Sequence, residues 1–327
     1  MKKINLFSTF VLSAILSVFL FTSCIDEVET PKVDHYKVMT TYMKANNMDL
    51  NKMTDAWVIS ATAVNTAGVS TYHILDLRTP ADFALGHIQG AINTTMANVV
   101  TAATGATKPI LVVCYTGQNA AVANIALRLS GFPTSKILKW GMSSWNPMFD
   151  KITANISNQA KGHANWSTTN TIKTPVLFSL PKFAETDFAA ADTTGAKILA
   201  KRVTYMLSLG FKGVDASAVL TTPANYFLVN YWTEADVTTY GHIKGAYRLN
   251  ETLLLGDGMK NLDPAAKVTV YCWTGQTSAL VSAYLNVLGY DASGIKFGTN
   301  AMINADLLKN KWPAASEMGN FTYVTGN

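Results

Sequence analysis

Apolar, β-branched runs too short for helices alternate along the chain with longer stretches in which apolar residues return every three or four positions. Pro109-Ile-Leu-Val-Val113 and Lys267-Val-Thr-Val-Tyr271 are the clearest short runs, and each predicts a buried strand. Further strands are expected over 72–76, 136–138, 226–230 and 293–297. After each clear run comes a small polar turn, then an amphipathic stretch (119–130 and 277–288) that stops at Gly131 or Gly289. Strands alternating with helices predict an α/β fold whose parallel sheets are flanked by helices on both faces. In such sheets ligands bind beyond the carboxyl ends of the strands, where both polar turns fall.

The order of elements occurs twice, and residues repeat with it. Cys114-Tyr-Thr-Gly-Gln118 returns as Cys272-Trp-Thr-Gly-Gln276, and Gly86-His-Ile-Gln-Gly-Ala91 as Gly241-His-Ile-Lys-Gly-Ala246. Lys139-Trp-Gly141 returns as Lys296-Phe-Gly298, and Thr41-Tyr-Met43, in an expected opening helix, as Thr204-Tyr-Met206. Offsets of about 155 to 165 residues mean a duplicated domain rather than a short-period solenoid. The expected division is a first domain over 35–154, a Ser/Thr/Asn-rich connection over 155–173 and a second domain over 174–327.

A length of 327 residues accommodates two such domains. The formal net charge of +5 is dispersed, with no basic run or stripe, so nucleic acid is not an expected partner. The N-terminus changes the picture more. Lys2 and Lys3 precede an apolar run over 4–21 that ends in Thr22-Ser-Cys24. This resembles a bacterial lipoprotein signal, which implies removal of 1–23 and lipidation of Cys24. A cell-envelope protein follows, anchored in a membrane on the periplasmic side or the outer surface. Ile25-Asp-Glu-Val-Glu29 opens an acidic tether over 24–34 and resembles a surface-export signal of the Bacteroidetes. The remaining cysteines, Cys114 and Cys272, occupy the repeated turns. No Cys or His cluster has metal-ligand spacing, and no cofactor is expected. A Cys114–Cys272 disulfide would need the two turns to meet face to face.

A cysteine between a strand end and a helix start faces unpaired backbone N–H groups and the positive end of a helix dipole. Both lower a thiol's pKa and hold an anionic sulfur. The competing reading is a small buried cysteine that only packs, and two copies with the same Thr-Gly-Gln trailer count against it. Gly117 and Gly275 allow the backbone to curl tightly around a sulfur. Thr116 and Thr274 either add a hydroxyl donor or satisfy the loop's own carbonyls. Tyr115 and Trp273 either rim a site for an apolar donor or pack in the core or between domains.

Ile74-Leu-Asp-Leu-Arg78, Pro80-Ala-Asp-Phe83, the Gly86-His-Ile turn and Cys114-x-x-Gly117 together resemble the rhodanese family, over nearly all of the chain beyond residue 24. The resemblance implies two tandem rhodanese-like domains and sulfane-sulfur transfer. Cys114 or Cys272 would take sulfur from thiosulfate, a persulfide or a polysulfide and pass it to cyanide or a thiol. Tyr115, Thr116, Gly117, Gln118 and Asn119, with Trp273, Thr274, Gly275, Gln276 and Thr277, would form the substrate cradles, whose amides need no general base. Asp76 and Arg78 become a supporting ion pair, and His87 and His242 structural members of their turns. The second copy departs from the pattern, with Asn230 and Trp232 in place of Asp76 and Arg78. Neither loop has the Arg with which related phosphatases and arsenate reductases grip an oxyanion, which argues against phosphoryl transfer. Without a loop cation, a poor thiosulfate KM and a preference for less charged donors are expected. The rival class is a non-catalytic sulfur carrier or partner-binding module at the membrane surface.

Overall fold

The computed structural model describes residues 33–169 and 172–326; the leader, Cys24 and most of the expected tether lie outside them. In the first half, β1 (Val58–Ile59), β2 (His73–Asp76), β3 (Ile92–Asn93), β4 (Ile110–Val113) and β5 (Lys136–Leu138) form a parallel sheet in the order β1-β5-β4-β2-β3. The connection carries β6 (Trp166–Ser167). The second half contains β7 (Gly213–Val214), β8 (Phe227–Asn230), β9 (His242–Ile243), β10 (Tyr247–Arg248), β11 (Lys267–Tyr271) and β12 (Asp291–Ile295). All of these except β9 form a second parallel sheet in the equivalent order, β7-β12-β11-β8-β10, while β9 pairs antiparallel with β6. The expected α/β class, with two parallel sheets, is what the chain adopts.

Helices α1 (His35–Ala45), α2 (Leu50–Met53), α3 (Ala61–Ala67), α4 (Pro80–Leu85), α5 (Val99–Ala103), α6 (Gln118–Leu129) and α7 (Met142–Trp145) belong to the first half. The second has α8 (Gly195–Leu209), α9 (Ala216–Thr221), α10 (Glu234–Tyr240), α11 (Gln276–Val287) and α12 (Asn300–Ile303). Strand side chains alternate and sort into separate cores. Leu75, Ile110, Val112 and Ile137 face one way, and Ile74, Leu111, Val113 and Leu138 the other. In the second sheet Phe227, Val229, Val268 and Val270 join the same core as the first of those groups, whereas Leu228, Tyr271 and Ile295 back onto a different one. The two sheets therefore share one core, to which α1, α6, α8 and α11 all contribute.

This sharing overturns the amphipathic expectation for the helices after the cysteines. α6 and α11 pack against each other, and nearly every residue of both is buried. A helix enclosed by its own sheet and by the opposite half has no solvent face. Residues 314–326, within the span expected for the second domain, lie on the first half. His87 and Val324 exchange backbone hydrogen bonds at 2.9 Å, Trp145 Nε1 donates to Thr322 O at 2.8 Å, and Phe321 and Tyr323 pack on Trp145 and Phe149.

Candidate active site

β4 and β11 lead directly into Cys114 and Cys272, and the chain then turns into α6 and α11. Gly117 and Gly275 cap these helices with φ of 80° and 78°, a left-handed conformation open to glycine without strain. The turn aims helix-start amides at sulfur. Cys114 Sγ accepts the N–H of Gly117 at 3.1 Å and of Ala120 at 3.4 Å, and Cys272 Sγ accepts that of Ser278 at 3.2 Å. Those are groups a helix cannot satisfy by itself.

A second support lies under each loop. Trp140 and Phe297 adopt φ of 62° and 58°, which is rare for bulky residues. This turn ends β12 two residues short of the expected 293–297 strand and brings Gly298 beneath the Cys272 loop. A Cβ on Gly141 would stand 2.2 Å from Cys114 O, and one on Gly298 2.3 Å from Cys272 O. In that close approach Met142 N–H donates to Cys114 O at 2.8 Å and Thr299 N–H to Cys272 O at 2.9 Å. The repeated Lys-aromatic-Gly was a signal present in the sequence but not connected with the site there.

Asp76 ends β2, beside β4, and the expected ion pair is present. Asp76 accepts the Arg78 N–H at 3.0 Å and its Nη2 at 2.7 Å, and Nη2 also donates to Gly86 O at 2.7 Å, with both side chains buried. In the second half Trp232 N–H donates to Asn230 Oδ1 at 2.9 Å, and the Asn230 amide reaches Tyr271 OH at 2.9 Å. The Arg78 guanidinium lies 5.1 Å over the Tyr115 ring, while Trp232 stacks on Trp273 with centroids 4.2 Å apart. Tyr115 also donates to Asp82 at 2.8 Å, so both aromatic residues pack within their own halves. Lysines from outside the loops approach the same rings, Lys151 at 5.6 Å over Tyr115 and Lys309 at 5.0 Å over Trp273. No spacing in the sequence pointed to them.

The remaining expected residues are placed as follows. His87 Nδ1 lies 3.0 Å from Phe83 O with its ring stacked on Phe83, and His242 sits between Ile243 O and Thr169 O. Thr116 Oγ1 accepts from Gln118 Nε2 at 3.0 Å and Thr274 Oγ1 from Gln276 N–H at 3.1 Å, so the threonines serve donors rather than carbonyls or sulfur. Asn119 is exposed and Thr277 half-buried. Among the described residues, no group of three or more His, Cys, Asp or Glu could hold a metal.

The two loops do meet. Gln276 Nε2 donates to Thr116 O at 3.0 Å, and Phe297 N–H donates to Gln118 Oε1 at 2.9 Å, each bond crossing between the halves. Both cysteines are free, and they are only 4% and 1% exposed. Burial pushes the Cys114 thiol above its ordinary pKa, against the pull of the Ala120, Thr116 and Gly117 amides, and Asp76 adds to the rise. The expected lowering is thereby reversed at Cys114, because desolvation outweighs the helix-start amides.

Residues 62–147, which include the Cys114 loop, Asp76, Arg78 and His87, match the family model of the rhodanese-like domain. Over those residues the chain is similar to that domain; the second half has the same strand order and lies outside the match. Among solved structures, a rhodanese-related protein from Thermoplasma volcanium is 24% identical over 27% of this chain and 89% of its own, with a TM-score of 0.25. A thiosulfate sulfurtransferase from Pseudomonas aeruginosa is 14% identical over 90% of this chain and 49% of its own, with a TM-score of 0.28. This chain thus spans about half the length of that protein. A 3-mercaptopyruvate sulfotransferase from Escherichia coli is 14% identical over 73% of this chain and 97% of its own, with a TM-score of 0.26. No curated protein matches.

Proposed function

We propose that this protein is a sulfurtransferase that moves sulfane sulfur from a donor to a thiol or cyanide through a cysteine persulfide. The thiolate of Cys114 or Cys272 attacks the donor's sulfane sulfur, and the donor's S–S bond breaks. The leaving group departs with the electron pair, as sulfite does from thiosulfate. Acceptor thiolate or cyanide then attacks the outer sulfur and returns the enzyme thiolate. The observation that carries this reading is the amide cradle at Cys114, inside the rhodanese-like segment: the N–H groups of Gly117 and Ala120 are already turned to sulfur. Such fixed donors stabilise an anionic sulfur without reorganising.

A weak response to thiosulfate belongs to the same proposal, since the loops carry no charge and Lys309 is engaged by Asp236 at 2.5 Å. So does a cell-envelope location through lipidated Cys24. Among the described residues, no helix is long and apolar enough to cross a membrane. The test is exposure to thiosulfate and to a polysulfide, followed by peptide mass spectrometry for an adduct of about 32 Da at Cys114 or Cys272. Cysteine-to-serine variants at each position assign the adduct, and cyanide or thiol turnover should vanish with the loaded cysteine. No adduct from either donor would end the proposal. The uncharged loops, with Asn230 at the second strand end, support a second reading, a carrier that loads once and does not turn over.

A further inference from the structure

One peptide unit joins the two loops. The Thr116 carbonyl and the Gly117 N–H share a planar trans peptide, so they point in opposite directions. The carbonyl accepts from Gln276 Nε2 at 3.0 Å, and the N–H donates to Cys114 Sγ at 3.1 Å. Gln276 is well fixed for this contact. It is the first residue of α11, is 2% exposed, and its backbone N–H is bound to Thr274 Oγ1 at 3.1 Å. The approach is close as well, because a Cβ on Gly117 would stand 2.8 Å from Gln276 Nε2. A hydrogen bond accepted by a carbonyl polarises its peptide and makes the N–H a stronger donor. The relation is not mirrored. Gln118 bonds to Phe297 N–H at 2.9 Å and to Thr116 Oγ1 at 3.0 Å, rather than to the carbonyl of Thr274.

We infer that Gln276 is a positioning residue for Cys114, acting across the two halves by locking the Thr116–Gly117 peptide with its N–H on the sulfur. The first site is then incomplete without the second half, whichever cysteine turns over. Its use in catalysis rests on the sulfur-transfer reading, but anion stabilisation at Cys114 can be measured with no sulfur donor present. The titratable groups around Cys114 are Asp76, with Arg78 bound to it, and Tyr115 with Asp82 and Lys151 beside it. Lys139, bound to Glu317, precedes the Gly141 turn, and the facing loop presents Cys272 among uncharged residues. An exchange at 276 alters none of these.

The experiment is the pH dependence of alkylation, read on the Cys114 and Cys272 peptides of the same sample. Gln276→Met keeps the size and removes the donor, while Gln276→Leu removes it with a second uncharged side chain. The Cys114 profile should move upward by about half a pH unit, a roughly threefold loss of thiolate, with a smaller move at Cys272. An unmoved Cys114 profile, or equal moves at both cysteines from a general loosening of the halves, would overturn the assignment. Melting curves establish which variants fold; if Gln276→Met does not, Gln276→Leu carries the measurement. A change that persists while neither loop accepts sulfur from any donor would sink the sulfur-transfer reading and leave the positioning role standing.

Discussion

Asp76 and Asn230 end equivalent strands, and each accepts the backbone N–H two residues on, at 3.0 Å and 2.9 Å. Beyond that shared turn the two ends diverge. The first adds a buried guanidinium, which binds the carboxylate and covers the Tyr115 ring. The second is neutral: Asn230 turns to the Tyr271 hydroxyl, and an indole covers the Trp273 ring. The backbone geometry thus survives the loss of the charges, so the ion pair is not what shapes the strand end. What the charges change is the field at the sulfur, where Asp76 adds to the rise of the Cys114 thiol.

The largest effect should come from removing one charge of the pair. Asp76→Ala strands Arg78, whose Nη1 already lacks a hydrogen-bond partner, and should cost about 3–5 kcal/mol in denaturant unfolding. Asn230→Ala strands neutral groups and should cost about 1–3 kcal/mol. Equal losses would break the contrast between the two strand ends.

A smaller effect, at Cys114, depends on pH. Burial raises the Cys114 pKa above its unfolded value, so the stability linked to the protonated thiol is present below the unfolded pKa. It is lost as pH rises through the higher folded value. Wild-type protein should therefore lose stability relative to Cys114→Ala as pH rises above about 8.5, by about 1.4 kcal/mol for each pH unit until the folded value is passed. Denaturant midpoints across that range check it, and the same series on Cys272→Ala supplies the internal comparison. Parallel wild-type and Cys114→Ala curves would refute the burial account.

The smallest effect concerns the outer lysines. Lys309 is bound to Asp236 and lies over Trp273, so Lys309→Ala should cost about 0.5–1 kcal/mol. Lys151→Ala should cost less, since Lys151 sits farther from its ring. Thermal melts of the two variants would show whether the order holds.

Much of each half is written in local pattern. β4, β5 and β11 lie within a residue of their expected spans, as do α6 and α11, because β-branched runs and glycine stops act over short stretches. The Asp76–Arg78 pair was legible for the same reason, its members being two residues apart. β1 and β7 are two-residue strands and leave no period to detect. The Gln276–Thr116 contact and the return of 314–326 to the first half join residues far apart in the chain, and no local pattern encodes them. The direction in which the Cys114 pKa moves was illegible too, since it depends on how completely the opposite half covers the loop.

The bond from Gln276 to Thr116 bears on how such a repeat can age. If the two halves had to work alone, a mutation that silenced Cys272 would leave its loop free to drift. Here that loop still carries the glutamine on which the other depends, so selection would go on conserving its shape after its chemistry had gone. A dead site in this architecture would look well kept.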